Sequence, residues 1–232
     1  MRLLGGRKIA AIFIGLLISG CGATVKPVVK QINTLAPGVV QTTTVGEPMF
    51  EKGMLRLVPG FVATANYYLP EMDHLVFPTV KRGAVWVCSG KLKSGDYLCS
   101  NPEIRGENIV MDTGAKFSGP LPTFIIKPWG EFHGLYYAET GRVSEQQNRL
   151  HGLFLPIEVP LQDSYKAQLI YNGKTDSTLN LTYQEFAGNM KEPAKSEGLS
   201  YEITSVNMIN VKNVMIEVLE ATNSSIKYIF KN

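Results

Sequence analysis

From Val39 onward the chain is a succession of short runs rich in Val, Ile, Tyr, Phe and Thr, in which apolar and polar residues alternate between Gly, Pro, Asn and Asp breaks. A period of two puts successive side chains on opposite faces of an extended backbone, so the pattern predicts strands with one buried and one wet face. Leu179, Leu181 and Tyr183 alternate with Asn180, Thr182 and Gln184, and Val214, Ile216 and Val218 repeat the device. Residues 214–220 and 226–230 flank Ala221-Thr222-Asn223-Ser224-Ser225, whose small polar side chains suit a tight connection, so a closing hairpin is expected. Residues 141–149 and 184–196 lack strand character and read as long loops or helical turns. Many strands at short spacing imply an all-β fold, an antiparallel sandwich or barrel-like sheet packing.

The amino terminus has a different character. Arg2, Arg7 and Lys8 form a basic start, and residues 9–20 carry no charge before Cys21. That is the layout of an export signal. The uncharged run is shorter than the roughly 20 residues a helix needs to cross a bilayer core, so a cleaved segment fits better than a permanent span. Leu17-Ile18-Ser19-Gly20-Cys21 resembles the bacterial lipobox, in which small residues before the cysteine admit a dedicated peptidase. The resemblance implies cleavage before Cys21, a diacylglycerol on its thiol and an acyl chain, such as palmitate, on its amino group. An ordinary secretory signal with a chance cysteine is the alternative. Each buried methylene contributes about 0.8 kcal/mol, so two or more chains anchor a protein durably where one does not. The expected organisation is a signal helix over 1–20, a flexible lipidated tether over 21–37, which holds two prolines, and one β-rich domain over 38–232.

Cleavage also changes the charge. Arg2, Arg7 and Lys8 account for the whole excess of 23 Lys plus Arg over 20 Asp plus Glu, so the remaining chain is formally balanced. Nucleic-acid binding through a generally basic surface loses its support, since that mode relies on clustered cations displacing counterions. Lys81-Arg82 and the Lys91/Lys93 pair read as solvated strand ends and turns.

Cys88 and Cys99 remain once Cys21 is lipidated, and an exported chain meets an oxidising compartment. The stretch AVWVCSGKLKSGDYLCS has apolar runs at both ends and Lys93-Ser94-Gly95-Asp96 in its middle, so a hairpin would set the two cysteines opposite each other as a disulfide. Their spacing is unlike the close CxxC pairs that zinc or redox sites favour.

Signals for catalysis are sparse. His74, His133 and His151 occupy different strand-like segments without HxH or HExxH spacing, and GxSxG, P-loop and GxGxxG motifs are absent from the sequence. No cofactor or metal is therefore expected. HGLYY at 133–137 and HGLFL at 151–155 are similar, and antiparallel neighbours could bring His133 and His151 together. Asp73 beside His74 could belong to a triad assembled in space, which sequence alone does not reveal. Trp86 sits in an apolar run and reads as core; Trp129, between Pro128 and Gly130, reads as a loop residue able to stack on a sugar ring or a partner. Trp129, His133 and His151 are the candidate ligand contacts.

IYNGKTDSTLNLTYQEF, SYEI and IEVLEATNSSIKYIF, with VGEPMFEKG at 45–53, are similar to segments of a recurring group of uncharacterised bacterial lipoproteins. The resemblance implies an envelope lipoprotein with a β-rich carboxyl-terminal end and transfers no catalytic residue. The resulting expectation is a non-enzymatic binding or structural module of the cell envelope. It would be held to the bilayer through Cys21, at the outer membrane if the source has two, with an envelope protein or glycan as partner. A cell-envelope hydrolase or carbohydrate-binding protein is the alternative.

Overall fold

The computed structural model describes residues 22–203 and 207–231; the signal segment and Cys21 lie outside them. The chain is nearly all β, its one helical element being a short 3-10 turn at Gly106–Asn108 among the described residues. The first strands are β1 (Gly22–Thr24), β2 (Val28–Asn33), β3 (Val40–Thr44) and the long β4 (Pro48–Ala63). Then come β5 (Leu75–Val76), β6 (Val85–Leu92), β7 (Tyr97–Ser100), β8 (Val110–Met111), β9 (Thr123–Ile126) and β10 (Phe132–Tyr137). The chain continues through β11 (Arg142–Leu150), β12 (Phe154–Pro160), β13 (Tyr165–Thr175) and β14 (Thr178–Ala187). It closes with β15 (Lys195–Glu202), β16 (Met208–Val211), β17 (Val214–Ala221) and β18 (Ser225–Lys231).

The antiparallel path β11-β10-β9-β7-β6-β4-β13-β14-β15 forms the large sheet, and β16-β17-β18-β3 a smaller one. β4 is long enough to serve two cores. Its first half pairs with β13 and contributes Met49 and Phe50 to a sandwich between the sheets, where Leu169, Leu179 and Leu181 meet Ile216, Ile226 and Phe230. Tyr228 ties the layers together, its hydroxyl donating to the Met49 carbonyl at 2.7 Å. The second half of β4 pairs with β12 and β6, and its Phe61 and Ala63 enter a separate core around Trp86. Phe124 and Phe154 approach the Trp86 ring edge-on at 5.9 and 4.8 Å. Here Phe154 at the start of β12 donates its N–H to the Gly130 carbonyl beyond β9, joining two parts of the large sheet that are distant in its strand order.

The alternation predicted by sequence is what buries these faces. Leu179, Leu181 and Tyr183 are buried, as are Ile216 and Val218, and β17 and β18 form the expected hairpin. Cys88 lies opposite Cys99 on β6 and β7, and the two form a disulfide inside the Trp86 core. Two expectations need correction. Residues 142–150 are an edge strand, not a loop, and residues 184–187 complete β14 before a turn leads to β15. The side chains of 142–146 are exposed or half-buried, so no dry face marks this strand in the sequence.

Within the stretch expected to be a tether, residues 22–24 and 28–33 are paired strands. Residues 22–24 pair with β6 and residues 28–33 with β4, filling the place where β4 and β6 diverge. Val28 and Val29 stay more than half exposed, so this strand is held by its backbone and leaves no buried face in the sequence to betray it.

Candidate functional site

Two turns at neighbouring hairpins share one design. In 92–96 and in 127–131 the N–H of the fourth residue, Gly95 or Gly130, donates to the carbonyl of the first at 2.9 Å, and the first residue's N–H donates to the carbonyl of the fifth at 2.8 Å. Both glycines take a left-handed φ, +93° and +87°. This is a type I turn closed by a glycine bulge, the preferred three-residue hairpin loop, and Pro128 suits its second position. The geometry folds the fifth side chain back beneath the turn. Asp96 and Glu131 are accordingly buried, at 4 % and 3 % exposure.

A buried carboxylate needs donors. Ser94 Oγ donates to Asp96 Oδ2, and Lys127 Nζ reaches the same oxygen at 2.8 Å, joining the two turns. In the second turn Trp129 Nε1 donates to Glu131 Oε2 at 3.0 Å, and His151 Nδ1 lies 3.0 Å from that same oxygen. Trp129 nevertheless exposes 66 % of its surface, and the His151 side chain is likewise open to solvent. The result is an indole and an imidazole displayed at the surface, with their orientation set from below by one carboxylate. Of the sequence-predicted contacts, Trp129 and His151 are thus brought together. His133 takes a different carboxylate, with Nε2 3.6 Å from Glu145 Oε1, so the two histidine rings do not share a partner.

Glu131, which organises this site, was not among the residues singled out from sequence. Its only signal is the repeated pattern of a glycine followed by an acid, Ser94-Gly95-Asp96 and Trp129-Gly130-Glu131.

Asp73 and His74 diverge. They are the central residues of a two-residue hairpin between Met72 and Leu75, both at positive φ, 52° and 64°, as a type I′ turn requires. Asp73 receives a two-pronged contact from Arg142, whose guanidinium stacks 4.3 Å over the Tyr137 ring. Partial burial raises the Asp73 pKa, but the hydroxyls of Tyr137 and Ser144 and the Arg142 charge outweigh it and hold the carboxyl below its ordinary range. His74 Nδ1 sits 2.5 Å from Asp112 Oδ2, and this hydrogen bond, reinforced by the Asp112 charge, raises the imidazole above its ordinary 6.5. Glu71, His74 and Asp112 hold ligand atoms within 4.8 Å of one another and could take a divalent cation. All three are exposed, so water competes for each ligand.

The raised histidine sets a pH signature. A group whose pKa is raised on folding contributes its stabilisation fully below the unfolded value and loses it as pH rises through the folded value. The His74–Asp112 contact is therefore expected intact below about pH 6.5 and to loosen above the folded pKa. Proton NMR of the imidazoles checks this: His74 should titrate above 6.5 in the wild type and move back toward it in Asp112→Asn.

Among the described residues no helix is long and apolar enough to cross a membrane. Comparison with protein-family models, with curated proteins and with solved structures found no match.

Proposed function

We propose that this chain is a cell-envelope lipoprotein: a β module carried on a lipid-modified Cys21, working by binding, with the Trp129 turn as its contact surface. The observation that carries the site is an exposed indole held by a buried carboxylate. A large apolar ring left in water is costly in itself, and a ring whose rotamer is already fixed loses little entropy on meeting a partner. Glu131 supplies that fixation. The basic start, the uncharged run and the lipobox-like LISGC support the anchor, and the resemblance of the carboxyl-terminal segments to bacterial lipoproteins supports the compartment.

The test is capture in the native envelope. A photoreactive residue placed at Leu155, which is exposed beside this turn, should give adducts of one recurrent class of envelope component. Trp129→Ala should lower their yield at least about tenfold, as expected for an anchor side chain worth about 2 kcal/mol. Thermal stability should fall by about 1–3 kcal/mol, the cost of one donor lost from buried Glu131, which leaves the module folded. Adducts of no recurrent identity, or a yield indifferent to Trp129→Ala, would refute the reading.

A second reading, a carbohydrate-binding protein or hydrolase, draws on the same grouping, since an indole beside a carboxylate and an imidazole suits a sugar ring. It requires His151→Ala to abolish complementation of a deletion strain while His133→Ala does not. The binding reading expects both variants to complement fully.

A further inference from the structure

We propose that the turn end of β6, β7, β9 and β10 rests on the bilayer and that Trp129 is its interfacial side chain. This rests on the lipoprotein reading and names the partner of the site described above.

Gly22 is already the first residue of β1, paired with Leu92, and the pairing runs on through Thr24 opposite Gly90. Val25 adds a bond from its N–H to the Ser89 carbonyl. Cys21 is therefore separated from the sheet by one peptide unit, about 3.8 Å between Cα atoms. A lipid on its sulfur leaves no slack, and the end of β6 must lie at the membrane surface.

What else lies at that end follows from the register. Leu92 opens the 92–96 turn, Tyr97 on β7 pairs with Ile126 at the close of β9, and Lys127 reaches across to Asp96. From β1 to β9 the sheet takes three steps of about 4.8 Å, which puts the 127–131 turn within about 15 Å of Gly22. Two acyl chains and this turn can thus enter one bilayer surface together.

The chemistry of the end fits a lipid surface. Trp129 is 66 % exposed, and Leu155, the residue after the one whose N–H binds Gly130, is 58 % exposed. The indole N–H is already satisfied by Glu131, so the ring can enter the headgroup region without losing a hydrogen bond. Tryptophan is enriched at membrane interfaces for this amphipathic character. The acids of both turns are buried beneath the side chains they hold, while Lys93 is exposed at the tip of the first turn. The outward face therefore offers aromatic, aliphatic and cationic groups, and a lysine near an anionic surface is worth about 1 kcal/mol.

The experiment uses the full-length, lipid-modified protein in vesicles of phosphatidylethanolamine and phosphatidylglycerol, with plain or brominated acyl chains. The chain has two tryptophans, and Trp86→Phe leaves Trp129 as the only one. Trp86 is fully buried and its Nε1–H meets no acceptor among the described residues, so phenylalanine forfeits no hydrogen bond there. If that variant does not fold, the difference between wild type and Trp129→Phe gives the same signal. The expected result is a blue-shifted Trp129 emission that brominated chains extinguish. Emission identical in both vesicles, from protein that floats with them, overturns the proposal and leaves the lipoprotein reading standing. A Trp129 response to peptidoglycan fragments with none to brominated lipid overturns it in favour of a glycan. Protein that carries no lipid on Cys21 and fails to float removes both readings.

Discussion

Gly130→Ala is expected to destabilise the fold by on the order of 4 kcal/mol, among the largest effects a single methyl group can have. Two costs combine. The φ of +87° already penalises any side chain by about 1–2 kcal/mol. A Cβ built there would also lie 1.9 Å from the Phe154 carbonyl oxygen, which belongs to a backbone that cannot swing aside. Relief would require parting the 127–131 turn from β12, which breaks the Phe154–Gly130 hydrogen bond and opens the Trp86 core where Phe154 is packed. At about 2–4 °C per kcal/mol for a chain of this size, the melting temperature should fall by about 8–16 °C. Gly114→Ala separates the two costs. Gly114 has φ +83° with nothing within 4 Å of the added carbon, so only the conformational penalty applies, about 2–8 °C. Equal losses at the two positions would show that the close approach to Phe154 contributes nothing.

The second large effect belongs to the disulfide. Cys88 and Cys99 close a loop of sequence separation 11, and such a cross-link stabilises by about 3 kcal/mol in the chain-entropy model. Replacing both cysteines with alanine should therefore lower the melting temperature by about 6–12 °C. Both sulfurs are buried against the Trp86 core, so truncation adds a small cavity to the lost constraint. Wild-type protein treated with reductant should lose the first part without the second, and so melt between the two. A double variant as stable as the wild type would mean that neighbouring packing already confines this hairpin.

Legibility in the sequence followed burial. Strands with one dry face, such as β14 and β17, announce themselves because solvent exposure dictates residue choice at alternate positions. The cysteine hairpin was equally plain, because the apolar runs around Cys88 and Cys99 flank a polar turn. Where pairing is carried by the backbone alone, the signal disappears. β2 leaves Val28 and Val29 in water and β11 leaves Val143 exposed, so neither strand carries an alternation that separates it from a tether or a loop.

The site was legible in part for the same reason. Trp129 stood out because Pro128 and Gly130 mark a turn, and His151 because of its near-repeat with His133. The carboxylate that unites Trp129 and His151 did not stand out, since burial of Glu131 comes from a glycine bulge and a strand that returns some twenty residues later. His74 stood out beside Asp73, but its grouping with Glu71 and Asp112 was out of reach: β5 and β8 bring His74 to Asp112 across 38 positions with no motif to mark them.

A lipid fixed to one sulfur places this chain at the membrane, and the most direct measurement of it is the mass of the amino-terminal peptide from protein expressed in a bacterial host. The predicted result is a peptide beginning at Cys21 and carrying a diacylglycerol mass, with residues 1–20 gone, and loss of that mass and of vesicle flotation in Cys21→Ser. A chain that keeps residues 1–20, or one that begins elsewhere with a free thiol at position 21, would contradict it.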